Sequence, residues 1–269
     1  MTFDDLDLAN IKLTNKDRRI VLLTSGGPLS TIVINGLRSR LGGLTVIEEG
    51  AETKSEIIRR RARLLGWPRA LSQAAAGVMI RVLGRKRQAR IANIVTSHGL
   101  DPKRDISVAL YRVPSVNSVH ARQLLQLLKP DVVAVYGTRI ISKATLNTTT
   151  APFINYHAGI NPKYRGQHPG YWALASGDAD HAGVTIHLVD EGVDTGSVLY
   201  QAPCQFAAND TISSYQYLQA AHALPLFARA IADALAGKLN PRQVALPSKQ
   251  WFPPTLGEYL QIGFLRGVW

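Results

Sequence analysis

Short β-branched apolar runs alternate along the chain with longer stretches of helical spacing. Arg19-Ile-Val-Leu-Leu-Thr24 is bounded by Ser25-Gly-Gly-Pro28 and predicts a first buried strand. From Leu29 to Leu41, Ile32, Val33, Leu37 and Leu41 recur at helical spacing before Gly42-Gly43. Further strands are expected at Leu44–Ile47, Ile106–Tyr111, Asp131–Tyr136, Phe153–Tyr156, Val184–Val189, Val198–Phe206 and Val244–Leu246. Helices are expected over Ala70–Leu83, Ser118–Leu128 and Gly170–Ser176, with a long one over Ile212–Ala236 capped by Asp210-Thr211. Strand alternating with helix predicts an α/β fold: a Rossmann-like, mainly parallel twisted sheet with right-handed crossovers and helices on both faces. The chain reads as one domain over 1–269. It comprises a first βαβ half (19–50), a basic helical insert (51–100), a second half (104–236) and a short C-terminal extension (237–269). The extension is too rich in aromatic and aliphatic residues for a solvated linker, so it should pack back on the domain or on a partner.

Composition adds three constraints. With 269 residues, 46% apolar and 19% charged, the chain has the make-up of a soluble globular protein with a full core. The single Cys204 excludes an internal disulfide and suits a reducing, cytoplasmic setting. No basic-then-apolar leader opens the acidic N-terminus, and no run reaches the roughly 18 apolar residues of a membrane span.

The net charge of +12 is local. Between Lys54 and Arg90 stand eleven Lys and Arg against Glu56 alone, a net of +10. A solvated basic face on helices that cover the sheet or form a homodimer is the plainest reading. Attraction to a polyanionic substrate, or peripheral contact of 54–90 with an anionic lipid surface, is the next. Nucleic-acid reading has less support, because little aromatic interleaving and no recognition motif accompany the charge.

Candidate chemistry gathers after Pro152. Residues two apart on a strand share a face, about 6.6 Å apart, so Asn155 and His157 project together from a strand end. That is where open α/β sheets bind ligands. A loop with Lys163, Arg165, Gly166 and His168 follows, then Val189-Asp-Glu-Gly-Val-Asp-Thr-Gly196 with three carboxylates. An amide, an imidazole and a carboxylate suit acyl transfer. Asp190 and Glu191 read as loop caps or solvated groups, and His181 and His187 as structural. No short-spaced ligand pair supports a metal site. Ser25-Gly-Gly-Pro-Leu-Ser30 departs from G-x-G-x-x-G; an anion-binding helix start and a plain tight turn remain equally open.

Ile154-Asn-Tyr-His157, Pro162-Lys-Tyr-Arg-Gly166, Gly183-Val-Thr-Ile-His187 and Val193-Asp-Thr-Gly196 together resemble the folate-dependent formyltransferases. The resemblance is strongest up to Gln201, weaker over Arg19–Gly42 and absent across 50–100. It implies 10-formyltetrahydrofolate as cosubstrate and Asn155, His157 and Asp194 as the catalytic trio. His157 would be protonated and Asp194 the base. The resemblance also implies a pterin pocket formed by Thr138, Arg139, Ile140, Ile141, Val189, Asp190 and Gly192, and substrate contacts from Lys163, Arg165 and His168.

Its branches differ in the amine they formylate. The tRNA-acting branch carries a further C-terminal domain, whereas 33 residues follow Ala236 here. The phosphoribosylglycinamide branch has an amide-rich phosphate turn, where Pro28 here removes a donor, and a Glu-His pair where this chain has Ala221-His222. The expected acceptor is therefore a small amine, phosphorylated or nucleotide-linked, such as an amino sugar of a nucleotide or glycan precursor. Phosphoribosylglycinamide is the alternative within the reaction, and a non-catalytic folate- or anion-binding module the alternative outside it.

Overall fold

The computed structural model describes residues 18–85 and 88–269. The acidic N-terminal run, and Lys86 and Arg87 of the basic segment, lie outside them. Strands β1 (Ile20–Thr24), β2 (Thr45–Glu49), β3 (Ala109–Val113), β4 (Val132–Tyr136) and β5 (Phe153–His157) run parallel. A two-residue strand, β6 (Arg165–Gly166), stands apart, while β7 (Gly183–Leu188) and β8 (Val198–Pro203) complete the sheet antiparallel. The order is β3-β2-β1-β4-β5-β7-β8. Leaving β1, the chain builds outward first through β2 and β3, then returns to β4 on the other side. This reversal opens a crevice beyond the carboxyl ends of β1 and β4.

The continuous apolar run of β1 has a geometric cause. Ile20 and Leu22 enter one core with Ile32 and Leu37 of α1 (Pro28–Leu41) and Phe227 and Ile231 of a long C-terminal helix. Val21 and Leu23 enter the core on the other face, with Leu124, Leu125 and Leu128 of a helix over Val119–Leu128. A strand covered on both faces needs apolar residues at every position.

The basic insert is helical throughout its described residues: α2 (Lys54–Leu65), α3 (Trp67–Arg85) and α4 (Gln88–Ser97). Thr53 and Glu56 form a capping box that starts α2. The insert leads to β3, and α5 (Val119–Leu128) follows, its start capped by Ser118. Two short helices, α6 (Lys143–Leu146) and α7 (Pro169–Ala175), flank β5 and its loop. Then come the long helix α8 (Tyr215–Leu235), a second two-residue strand β9 (Gln250–Trp251) pairing with β6, and α9 (Leu256–Arg266). The C-terminal extension does pack back: Tyr259 is buried against Tyr171, and the Ile212 amide donates to the Trp269 carbonyl at 2.6 Å.

Among the differences from expectation, three have a visible cause. The third strand begins at Ala109, because the Asp105 carboxylate accepts from the Ser107 amide and pairs with Arg38, making a turn that leaves Ile106 exposed. The segment Val244–Leu246 forms no strand; Arg242 instead bridges to Val198, and the sheet-forming residues are Gln250 and Trp251. α8 starts at Tyr215, since the Ser214 hydroxyl donates to Asp210, whose two carboxylate oxygens are gripped by the Nε–Nη2 edge of the Arg90 guanidinium.

Gly36 of α1 sits where an added methyl would stand 2.6 Å from Leu224 of α8. Gly36→Ala should lower stability by about 1–3 kcal/mol through overpacking, exceeding the ~1 kcal/mol that alanine contributes to a helix. The urea midpoint measures this, and an unchanged midpoint would mean that α1 and α8 do not pack this closely.

Candidate active site

The crevice deepens into a cavity of about 1050 Å³. Its floor is the carboxyl end of β5. Asn155 and His157 point the same way from that strand, and β7 runs antiparallel beside it, pairing Asn155 with His187. The loop between β7 and β8 brings in Asp194. That loop is held shut at its base, where the Leu188 amide donates to the Ser197 carbonyl. Gly196 is needed there, because a Cβ would overlap the Leu188 carbonyl. Asp194 itself takes a left-handed backbone (φ 51°), a conformation that costs a non-glycine residue energy and that tertiary contacts must hold.

Four side chains meet at this point. Asn155 Nδ2 donates to His187 Nε2 at 3.0 Å and, more loosely at 3.4 Å, to Asp194 Oδ1. His187 Nδ1 lies 2.7 Å from the Leu188 carbonyl, which can only accept. The Nδ1 hydrogen is thereby fixed, and Nε2 is left as the acceptor for the Asn155 amide. His157 is held by the same logic: its Nε2 donates to the Tyr164 carbonyl at 2.8 Å, leaving Nδ1 3.4 Å from Asp194 Oδ2. The Gly166 amide donates to the same oxygen at 3.0 Å. Gly166 has φ 89°, and a Cβ on it would collide with the Trp251 carbonyl, so both its conformation and its closeness to β9 require glycine.

The charges follow from these contacts. Burial by itself would push the Asp194 carboxyl up, but positive charge on the His157 ring, when it is protonated, and the Gly166 amide outweigh it and hold the group well below the usual carboxylate range. Burial lowers the His157 imidazole, against the opposing pull of Asp194 and the Tyr164 carbonyl. The resting site therefore pairs an anionic Asp194 with a neutral His157 whose Nδ1 lone pair is available. The expected protonated His157 thus belongs to the reacting state and not to the resting one, where desolvation exceeds the attraction of a carboxylate 3.4 Å away.

The lining around this centre divides by element into two stretches of wall, or arms. One is walled by Thr138, Arg139, Ile140 and Ile141 after β4, and by Val189, Asp190 and Gly192 after β7. The Arg139 side chain is spent on structure, pairing with the buried Glu49 at 2.8 Å and donating to the Gly50 carbonyl. Asp190 caps its own loop, accepting from the Gly192 amide and the Thr195 hydroxyl. The other arm is walled by Arg60, Arg61, Gln167, His168, Gln216 and Trp251. His168 keeps part of its surface open to the cavity, yet burial and the nearby Arg61 cation push it down to about 4.

Lys163 and Arg165 do not line the cavity. Lys163 pairs with Asp178 at 2.6 Å, and Asp178, which also binds His181 and Tyr164, is held at about 2 despite the burial that opposes it. Arg165 donates to the Val193 carbonyl and the Ser248 hydroxyl, bracing the loop that carries Asp194. Both cations are taken up by these partners rather than presented to the cavity. His187, read from sequence as structural, belongs to the central cluster. Arg61, contributed by the insert, reaches the cavity wall from a segment that gave no sign of chemistry beyond charge.

A model of the family described as formyl transferase matches residues 69–230. A curated methionyl-tRNA formyltransferase from Marinobacter nauticus is 41% identical over 109 residues, 40% of this chain and 34% of that protein. The chain thus matches about a third of that relative's length. In fold, it is similar to a sugar N-formyltransferase from Shewanella (TM-score 0.55, 14% identity, 87% of this chain and 76% of that one). It is likewise similar to phosphoribosylglycinamide formyltransferase from Anaplasma phagocytophilum (TM-score 0.55, 17% identity, 88% and 100%).

The depressed Asp194 carboxyl has a consequence for stability. Its contribution is present above the ordinary aspartate value of about 3.9 and lost as pH falls through the lower folded value. His157 acts in the same direction below about 6.5, where the unfolded imidazole takes up a proton that burial denies the folded one. The His157→Asn variant, which removes that ring and also relaxes the hold on Asp194, should therefore lose less melting temperature than wild type between about pH 7 and about pH 3. Parallel acid limbs for the two proteins would contradict the charge assignment.

Proposed function

The chain belongs to the formyl transferase family, and from that premise we propose that it moves a formyl group from 10-formyltetrahydrofolate to a primary amine of a small substrate. The observation that carries this reading is the meeting of Asn155, His157 and Asp194, at 3.4 Å from amide to acid and 3.4 Å from imidazole to acid, on the floor of one cavity. The arm walled by Thr138–Ile141, Val189, Asp190 and Gly192 suits the pterin. Its side chains are apolar or already engaged, so recognition there falls to main-chain groups.

The trio divides the work by its hydrogen-bonding capacity. An amine entering beside Asp194 presents N–H groups to the unprotonated His157 Nδ1. As the new C–N bond forms, negative charge develops on the formyl oxygen. The Asn155 N–H that rests loosely on Asp194 can turn to that oxygen, and one such donor contributes about 2.7–4 kcal/mol. His157 takes the proton released by the attacking amine and becomes an imidazolium between two acceptors, the Tyr164 carbonyl and the Asp194 carboxylate. It then returns the proton to the departing nitrogen as the old C–N bond breaks. Asp194 is in this reading the anion that makes the charged imidazole tolerable, rather than the base itself.

The second arm supports an acceptor with an anionic handle. Arg61 is half-buried there, and it donates to the neutral Gln167 side chain at 3.1 Å. Burial and the adjacent Arg60 both disfavour its cation, which a phosphate would relieve. An amino sugar on a nucleotide or glycan precursor fits this arrangement. Phosphoribosylglycinamide fits less well: Pro28 occupies the first turn of α1, the Ser30 hydroxyl is spent on the Gly26 carbonyl, and His222 lies beside His98 and not on the cavity wall. Methionyl-tRNA is the second acceptor to test, on the strength of the 41% identity to the Marinobacter protein.

Release of tetrahydrofolate from 10-formyltetrahydrofolate, followed with nucleotide-linked amino sugars, phosphoribosylglycinamide and methionyl-tRNA, tests the proposal. Turnover should occur with a nucleotide-linked amino sugar, and absence of turnover with every amine would leave a binding module. His157→Asn should lower kcat by about 10²–10⁴-fold, with the affinity for a formylfolate analogue changed only a few-fold. Loss of analogue binding in step with kcat would make His157 a binding residue instead. Arg61→Gln should raise KM for a phosphorylated acceptor about tenfold, as expected for a lost charged hydrogen bond of about 1.5–3 kcal/mol. If KM rises equally for an unphosphorylated amine, Arg61 does not read the phosphate.

A further inference from the structure

The outer face of α3 is apolar and uncovered. The helix buries Ala70, Gln73, Ala76 and Gly84 on one side. Trp67, Leu71, Val78 and Val82 recur at intervals of four, seven and four, which at 100° per residue confines them to a stripe about 60° wide and about 22 Å long. All four are more than half exposed, as is Leu64 just before the Gly66 turn. α9, which packs on α3, adds Phe264 and Leu265, each about three-quarters exposed. Scattered surface leucines need no explanation, but a continuous helical stripe of this kind marks a contact.

Its surroundings are strongly basic. Arg59, Arg60 and Arg63 lie exposed on α2, and Arg81 and Arg85 on α3. Among the described residues, no ion pair engages Arg59, Arg63, Arg81 or Arg85. A partner must therefore accept aliphatic side chains and supply negative charge at the same place. A second copy of this chain would set the same cations against each other. RNA supplies phosphates, but it binds aromatic platforms, and Trp67 is the one aromatic residue of the stripe. Residues 1–17 carry a net charge of −2 and so offset little of the +10.

We propose that this face docks the protein on an anionic lipid surface, with the α3 stripe entering the acyl boundary and the arginines meeting the headgroups. Arginine suits the rim, since its stem lies along apolar surface while the guanidinium reaches phosphate. No helix among the described residues is long and apolar enough to cross a membrane, so the contact is interfacial. Leu64 and Arg60 of α2, which packs on α3, also line the cavity wall. Docking thus places the acceptor arm beside the bilayer, within reach of an amine presented at its surface. The docking inference stands whether or not the reaction proposed above is the right one.

Co-sedimentation of the full chain with phosphatidylcholine vesicles, with and without phosphatidylglycerol, tests it. Wild type should bind the vesicles that contain phosphatidylglycerol and weaken as salt is raised. The Val78→Ser/Val82→Ser and Arg81→Gln/Arg85→Gln double variants lie outside the cavity wall, and each should bind at least about fivefold more weakly. Trp67 emission should shift to the blue on binding, and Trp67→Phe should remove the shift. Far-UV circular dichroism and a melting curve confirm that the variants fold. The inference is overturned if phosphatidylglycerol has no effect, or if the Val78→Ser/Val82→Ser protein binds as well as wild type. It is also overturned if the stripe variant breaks a dimer in sedimentation velocity or abolishes binding of poly(U) RNA instead.

Discussion

A half-buried carboxylate holds this site together. Asp194 sits in left-handed backbone at the tip of a glycine-bounded loop, and four groups from three parts of the chain converge on it: the Asn155 amide, two imidazoles and the Gly166 main chain. A buried anion without such partners would be protonated or expelled to solvent. The partners keep it ionised, and the ion in turn fixes the partners. The loop after β5 is drawn in through Gly166, and the β7–β8 loop is braced from behind by the Arg165 guanidinium on the Val193 carbonyl.

The sheet supplies the geometry that makes this possible. Reversal of strand order between β1 and β4 leaves a crevice, β5 delivers two polar side chains to its floor, and antiparallel β7 brings His187 opposite Asn155. The Leu188 and Tyr164 carbonyls each fix a hydrogen on one nitrogen of a neighbouring imidazole, so His187 is set to receive the Asn155 amide and His157 is set to receive a proton from the cavity. Elsewhere in the cavity wall, cations are neutralised locally, as Arg139 is by Glu49 and Arg60 by Glu52. Arg61 stands apart in having a neutral side chain as its hydrogen-bond partner.

Much of this was legible in the sequence where one residue pattern answers to one physical demand. The unbroken apolar run at Ile20–Leu23 reports burial on both faces, and the strand period alone puts Asn155 and His157 together. The place of Asp194 came from resemblance, since neither periodicity nor composition distinguishes it from Asp190 and Glu191 in the same loop. His187 was missed because its role depends on antiparallel register between β5 and β7. The alternation Thr185, His187 on that strand, read against Asn155, is the signal that could have found it. Lys163 and Arg165 drew attention as cations in a glycine loop, but their partners Asp178 and Val193 become visible only once the loop is folded. The strand expected at Val244–Leu246 failed for a related reason: the two-residue pairing at Gln250–Trp251 is too short to leave a period.

The account turns on the protonation of one ring. Long-range ¹H–¹⁵N correlation spectra of ¹⁵N-histidine-labelled protein, with His157 assigned through His157→Asn, report its tautomer and charge directly. At neutral pH the ring should be uncharged, with its hydrogen on Nε2 and Nδ1 unprotonated. An imidazolium with both nitrogens protonated at that pH, or a neutral ring carrying its hydrogen on Nδ1, would contradict the arrangement on which the proposed chemistry rests.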